Sequence, residues 1–72
     1  MRVVNIVITD KGRNPTAVDL TLNKVYTAFR SEVGEFVSGG VNEFTYYELV
    51  DDVGCLCGIY KNWLGIALHE VP

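Results

Sequence analysis

The chain has 72 residues and a formal net charge of −3, so it has room for one domain spanning residues 1–72. Hydrophobic residues make up 49% and charged residues 21%, a balance that excludes a disordered chain, and two cysteines exclude a disulfide framework. The apolar runs are too short to cross a bilayer and no signal-peptide core follows Met1, so we expect a cytoplasmic location.

The N-terminal half begins with a run of β-branched residues, Val3 to Thr9, that predicts a strand. A polar loop follows up to Pro15. Strand-forming residues resume at Val25, after a turn in which Asn23 is the expected left-handed pivot. An amphipathic helix over residues 16–30 is the competing interpretation, which the β-branched residues disfavour.

The C-terminal half alternates short β-rich segments with turn residues. We expect a short strand at residues 35–38, a break at Gly39-Gly40, a strand at 42–50 and its hairpin partner at 55–60. The residues Asp51-Asp52-Val53-Gly54 predict the connecting turn. One helical turn near Trp63 then precedes a last strand at 66–71. Five or six short strands predict an all-β domain, a small five-stranded SH3-like barrel with one helical turn before its last strand.

Two stretches of the sequence resemble motifs of a family of small SH3-like barrel proteins from phage and prophage genomes. The first is Leu20-Thr21-Leu22-Asn23-Lys24-Val25-Tyr26, which is similar to that family's L-T-x-G-K-x-Y motif. Tyr47-Glu48-Leu49-Val50-Asp51-Asp52-Val53-Gly54 is similar to its Y-x-I-x-D-D-x-G hairpin. The resemblance extends over about residues 20–71. It implies the barrel fold and a phage-like origin, hence the host cytoplasm, but no mechanism.

Cys55 and Cys57 are the most reactive candidates. Two residues apart in a strand, they should share one face, where His69 and the Asp51-Asp52 carboxylates could complete a metal or thiol site. Core packing of the cysteines and turn formation by the aspartates explain the same residues without chemistry. We therefore predict no metal site, no cofactor and no enzyme, because the lone histidine has no evident nucleophile or orienting group.

Surplus aromatic residues in the C-terminal half suggest an interaction surface. Alternation places Phe44 and Tyr46 on one face of the strand and Tyr47 and Leu49 on the other. The resemblance implies that Tyr47 and Leu49 point inward, which would leave Phe44 and Tyr46 exposed. We predict a non-enzymatic protein-interaction module, a phage or prophage accessory protein that binds a host or phage protein, although the same surface could be buried in a homodimer. The predicted partner-binding residues are Phe44, Tyr46, Tyr60 and Trp63.

The alternative function is nucleic-acid binding by a small barrel, with aromatic rings stacking on bases. The phosphate-binding residues would be Lys11, Arg13, Lys24 and Arg30. The chain holds six basic and nine acidic residues, and this acidic balance disfavours the alternative.

Overall fold

The structure is a computed structural model that describes residues 2–34, 36–37, 40–41 and 44–72, with the backbone alone at 36–37 and 40–41. In chain order the strands are β1 (Arg2–Asp10), β2 (Val25–Ser31), β3 (Phe36–Val37), β4 (Gly40–Val41), β5 (Tyr46–Val50), β6 (Leu56–Tyr60) and β7 (Ala67–Val71). A first 3-10 turn (Pro15–Ala17) lies between β1 and β2, and a second 3-10 turn (Trp63–Gly65) precedes β7. Within the described ranges, no helix is long and apolar enough to cross a membrane.

Five of the strands form one antiparallel sheet in the order β6-β5-β2-β1-β7. The last strand returns to pair with the first, which is the strand order of a small SH3-like barrel. The predicted fold class is therefore confirmed: the protein is all-β, and a single short turn of 3-10 helix precedes the last strand. The alternative helix over residues 16–30 is wrong, because β2 occupies its second half.

The region between β2 and β5 holds an addition to the five-stranded plan. There β3 and β4 pair with each other as a separate two-stranded ladder, with Phe36 opposite Val41 and Val37 opposite Gly40. The predicted strand at 35–38 is therefore present at its centre. Gly40 belongs to a strand rather than to the predicted break, whereas Gly39 lies outside the described residues.

The core forms on one face of the sheet, where alternate residues of each strand point inward. Tyr47 and Leu49 of β5 are buried as predicted, and Asn23 adopts the expected left-handed backbone with φ of 62°. The first 3-10 turn adds Ala17 to the core. The buried hydrophobic residues are Ile6, Ile8, Ala17, Leu20, Tyr26, Ala28, Tyr47, Leu49, Cys57, Ile59, Ile66 and Leu68.

A carboxylate joins the β5–β6 hairpin to the turn before β2. The Asp52 carboxylate accepts hydrogen bonds from Thr21 Oγ1 (2.6 Å), Lys24 Nζ (2.7 Å) and the Tyr26 hydroxyl (2.8 Å). The bonds from Lys24, then Thr21 and Tyr26, hold the pKa of Asp52 at about 2, below its ordinary value of 3.8. Both sequence stretches that resemble the phage family thus meet at this carboxylate, in a structural role.

Candidate functional site: an exposed aromatic cleft

The aromatic side chains of the C-terminal half meet at one end of the sheet. Tyr46 and Tyr60 are direct partners across β5 and β6, and their ring centroids lie 4.9 Å apart. Phe44 and Trp63 approach the Tyr60 ring edge-on, at centroid distances of 6.2 and 6.5 Å. Edge-to-face and tilted contacts of this kind are favourable arrangements for aromatic rings. The structure therefore brings together all four residues that the sequence predicted as partner-binding.

The outer rings of this cluster remain open to solvent. Phe44 is 59% exposed, Trp63 47% and Tyr60 36%, whereas Tyr46 is half-buried beneath Tyr60. A cleft of about 350 Å³ opens between them, and it is lined by Phe44, Tyr60, Lys61, Asn62 and Trp63. We call this feature the aromatic cleft. A concave apolar surface with a few polar groups is the usual form of a binding site.

The second 3-10 turn holds Trp63 at the edge of the aromatic cleft. Its backbone is unusual, because Asn62 and Leu64 both have positive φ, 64° and 53°, a conformation that is uncommon for residues other than glycine. Such backbone strain tends to persist at functional sites, where the surrounding structure enforces it. Here the enforcing contacts come from both sides of the turn.

On one side, the amide of Lys61 donates to the carbonyl of Thr45 at 2.9 Å. On the other side, the amide of Arg13 donates to the carbonyl of Leu64 at 2.8 Å. Gly12 permits this second contact, since a Cβ at that position would lie 2.5 Å from the Leu64 carbonyl oxygen. The loop after β1 and the residue before β5 thus hold the turn that carries Trp63 from both sides.

Tyr46 is the support beneath the exposed rings, and it depends on a glycine. The Tyr46 ring lies across Gly58 of β6, so closely that a Cβ there would be 2.0 Å from the Tyr46 hydroxyl oxygen. Partial burial raises the pKa of the Tyr46 hydroxyl, and the neighbouring Glu48 carboxylate raises it further. Sequence reasoning missed Gly58, because only cross-strand pairing shows that Tyr46 covers this position.

The four basic residues predicted as phosphate contacts differ in what their side chains bind. Lys24 is paired with Asp52, and Arg30 is paired with Glu32 at 2.6 Å and with Glu70. Lys11 Nζ donates to the carbonyl of Val18 at 3.2 Å. Arg13 has no side-chain hydrogen bond or ion pair within the described part of the chain. Carboxylates thus already neutralise two of the four cations.

The paired-cysteine expectation is wrong. Cys57 is buried in the core, where its thiol donates to the carbonyl of Thr16 at 2.8 Å and burial raises its pKa. Cys55 is exposed and lies in the turn, because both its amide and its carbonyl bond to Asp51. His69 is exposed on β7, at the opposite edge of the sheet from β6. Among the described residues, no group of three or more candidate ligands could hold a metal ion.

Comparison with protein-family models, with curated proteins and with solved structures gave no match. The interpretation of the aromatic cleft therefore depends on its own geometry and chemistry.

Proposed function

We propose that the protein is a non-enzymatic protein-interaction module that binds a partner through the aromatic cleft. The observation that carries the proposal is the exposure of Phe44, Tyr60 and Trp63 around one concave surface. Leaving three large rings partly in water forgoes favourable burial, and Tyr and Trp are the residues most enriched where interfaces concentrate their binding energy. The rigid turn beneath Trp63 supports the same view, because a preformed site loses less entropy on binding.

The resemblance to small SH3-like proteins of phages supports a more specific form of the proposal. The protein would be a phage or prophage accessory protein that acts in the host cytoplasm on a host or phage protein. The resembling residues Thr21, Lys24, Tyr26 and Asp52 form a structural cluster, so they support the fold and the origin rather than the choice of partner.

The experiment compares capture by three forms of the tagged protein: wild type, Trp63→Ala and Phe29→Ala. Phe29 is a matched control, because it is 50% exposed on the sheet but does not line the aromatic cleft. We expect a stoichiometric partner from bacterial or phage-infected lysate that Phe29→Ala retains and Trp63→Ala loses. Binding of the purified partner should then change the fluorescence of Trp63, the single tryptophan in the chain. A partner that all three forms capture equally would contradict the proposal.

Nucleic-acid binding remains the alternative, since exposed rings can stack on bases. Arg13 and Lys61, which lack carboxylate partners in the described ranges, are the cations that such a site would use. Retardation of single-stranded DNA or RNA that falls steeply with salt, and that Trp63→Ala abolishes, would favour it. Homodimerisation through the cleft would appear as concentration-dependent sedimentation that the same substitution abolishes.

A further inference from the structure

The basic residues divide into two groups by their partners. Lys24 and Arg30 are held by carboxylates, and Arg2 Nη2 lies 3.6 Å from Glu70. The other three, Lys11, Arg13 and Lys61, have no carboxylate within ion-pair distance among the residues that the structure describes. The chain as a whole is acidic, with a net charge of −3, but the surface around these three residues carries positive charge that no described carboxylate pairs with.

Two of these three cations belong to the surroundings of the aromatic cleft. Lys61 lines the cleft and, among the residues that the structure describes, is the only charged one in its lining. Arg13 lies in the loop that bonds the second 3-10 turn, through its amide and the carbonyl of Leu64. Lys11 instead directs its ammonium group to the carbonyl of Val18, and it does not line the cleft.

No ion pair joins Lys61 to an acidic group among the residues that the structure describes. Glu48 lies on β5 two residues beyond Tyr46. Its charge raises the pKa of the Tyr46 hydroxyl, and it does not line the cleft. Asp10, at the end of β1, accepts a hydrogen bond from the amide of Gly12 at 2.7 Å. The described lining of the cleft thus combines an apolar aromatic surface with one positive charge.

We infer that the aromatic cleft binds an acidic peptide segment, in which a carboxylate next to an apolar side chain pairs with Lys61 while the apolar side chain packs among Phe44, Tyr60 and Trp63. This inference rests on the proposed function and specifies the chemistry of its partner. At physiological ionic strength the Debye length is about 8 Å, so the chain's overall negative charge is largely screened and the charge inside the cleft decides the preference. The same ammonium group disfavours basic segments, which gives the site specificity.

The test uses a random peptide library selected on the wild-type protein, followed by removal of every peptide that also binds Trp63→Ala. We expect the remaining peptides to be enriched in Asp or Glu next to an apolar residue. For one such peptide, changing the carboxylate to its amide, or Lys61→Ala in the protein, should weaken binding by about two- to five-fold, as for a partly exposed ion pair. Lys61→Glu should weaken it more. Lys11→Glu, the matched control, makes the same charge change outside the cleft and should leave the affinity unchanged.

The outcomes separate the two proposals. Peptides that need Trp63 but are neutral or basic, and that bind Lys61→Glu as tightly as wild type, would overturn the acidic preference and leave the proposed function standing. A selection without any Trp63-dependent peptide would count against both proposals. Equal weakening by Lys61→Glu and Lys11→Glu would show an effect of net charge only, and it would overturn the assignment to Lys61. Stacking of a thymidine oligonucleotide on Trp63 with affinity above that of the peptides would replace the acidic peptide with nucleic acid.

Discussion

Replacing Gly58 by alanine tests whether this glycine positions the aromatic cleft. Gly58 does not have a positive φ, so the backbone of β6 accepts alanine without strain. The new Cβ would however lie 2.0 Å from the Tyr46 hydroxyl oxygen and 2.7 Å from the ring carbon that carries it. Because Tyr46 is only half-buried, its ring can move away more easily than the strand can shift. The expected result is a displaced Tyr46 ring that no longer packs on Tyr60.

Two opposing contributions determine the change in stability. Alanine is more favourable than glycine inside a regular strand by about 0.5–1 kcal/mol. Loss of the aromatic contact, with its 4.9 Å centroid distance, costs about 0.5–1.5 kcal/mol. In the wild-type background these nearly cancel, so Gly58→Ala should change the free energy of unfolding by less than about 1 kcal/mol. In a Tyr46→Ala background only the gain remains, and Gly58→Ala should stabilise the protein by about 0.5–1 kcal/mol.

The double-mutant cycle therefore predicts a coupling energy of about 0.5–1.5 kcal/mol between the two positions. Urea denaturation of the four proteins measures it, and a domain of this size shifts its Tm by about 4–8 °C per kcal/mol. Partner binding is the second assay, since Gly58→Ala should weaken it although the fold is kept. Equal effects of Gly58→Ala in both backgrounds would refute the proposed contact between Gly58 and the Tyr46 ring.

Three further predictions concern the fold around the cleft. Asp52→Asn should lower Tm near neutral pH and make Tm fall less steeply below pH 4. The reason is that the pKa of Asp52, depressed to about 2, gives stability that is present above pH 3.8 and is lost as the pH falls through 2. Wild-type and variant Tm values that fall in parallel across this pH range would contradict it. Tyr47→Phe should destabilise by about 0.5–1.5 kcal/mol in urea denaturation by removing the hydroxyl that donates to Glu70, and an unchanged midpoint would count against that bond. In the native protein a thiol reagent should label Cys55 rapidly and Cys57 only as fast as the domain opens, so two fast thiols would disprove the burial of Cys57.

Local rules predicted the elements that local forces determine. Alternation correctly placed Tyr47 and Leu49 on a common face, which the family resemblance implied to be the inner one, and both are buried. The backbone preference of asparagine correctly identified Asn23 as the left-handed residue of its turn. Alternation failed at Cys55, because Asp51 Oδ1 accepts hydrogen bonds from the amides of Val53 and Cys55 and thereby extends the turn. The strand β6 therefore begins at Leu56, one residue later than expected, which leaves Cys55 in the exposed turn and Cys57 in the core.

Long-range pairing explains what sequence reasoning missed. Lys24 and Arg30 were candidate phosphate contacts, but Lys24 pairs with Asp52, 28 residues away along the chain, and Arg30 pairs with Glu70, 40 residues away, as well as with the neighbouring Glu32. Lys61 was not singled out, because only the folded hairpin and the second 3-10 turn bring it into the lining of the aromatic cleft. The four aromatic residues were predicted as partner-binding, because a small core cannot bury every ring of the C-terminal half and because alternation with the family resemblance left Phe44 and Tyr46 on the outer face.

In this small barrel, one set of residues holds the fold together and a different set lines the aromatic cleft. The motif side chains of Thr21, Lys24 and Tyr26 all donate to the Asp52 carboxylate, so a related sequence that keeps these four residues would keep this link in the fold whatever it binds. Phe44 and Trp63 contribute little to the core, because each keeps about half of its surface in water. A domain freed from the need to bury these rings can change them at little cost in stability. The choice of partner should therefore depend on the aromatic cleft and Lys61, and only weakly on the residues that carry the resemblance.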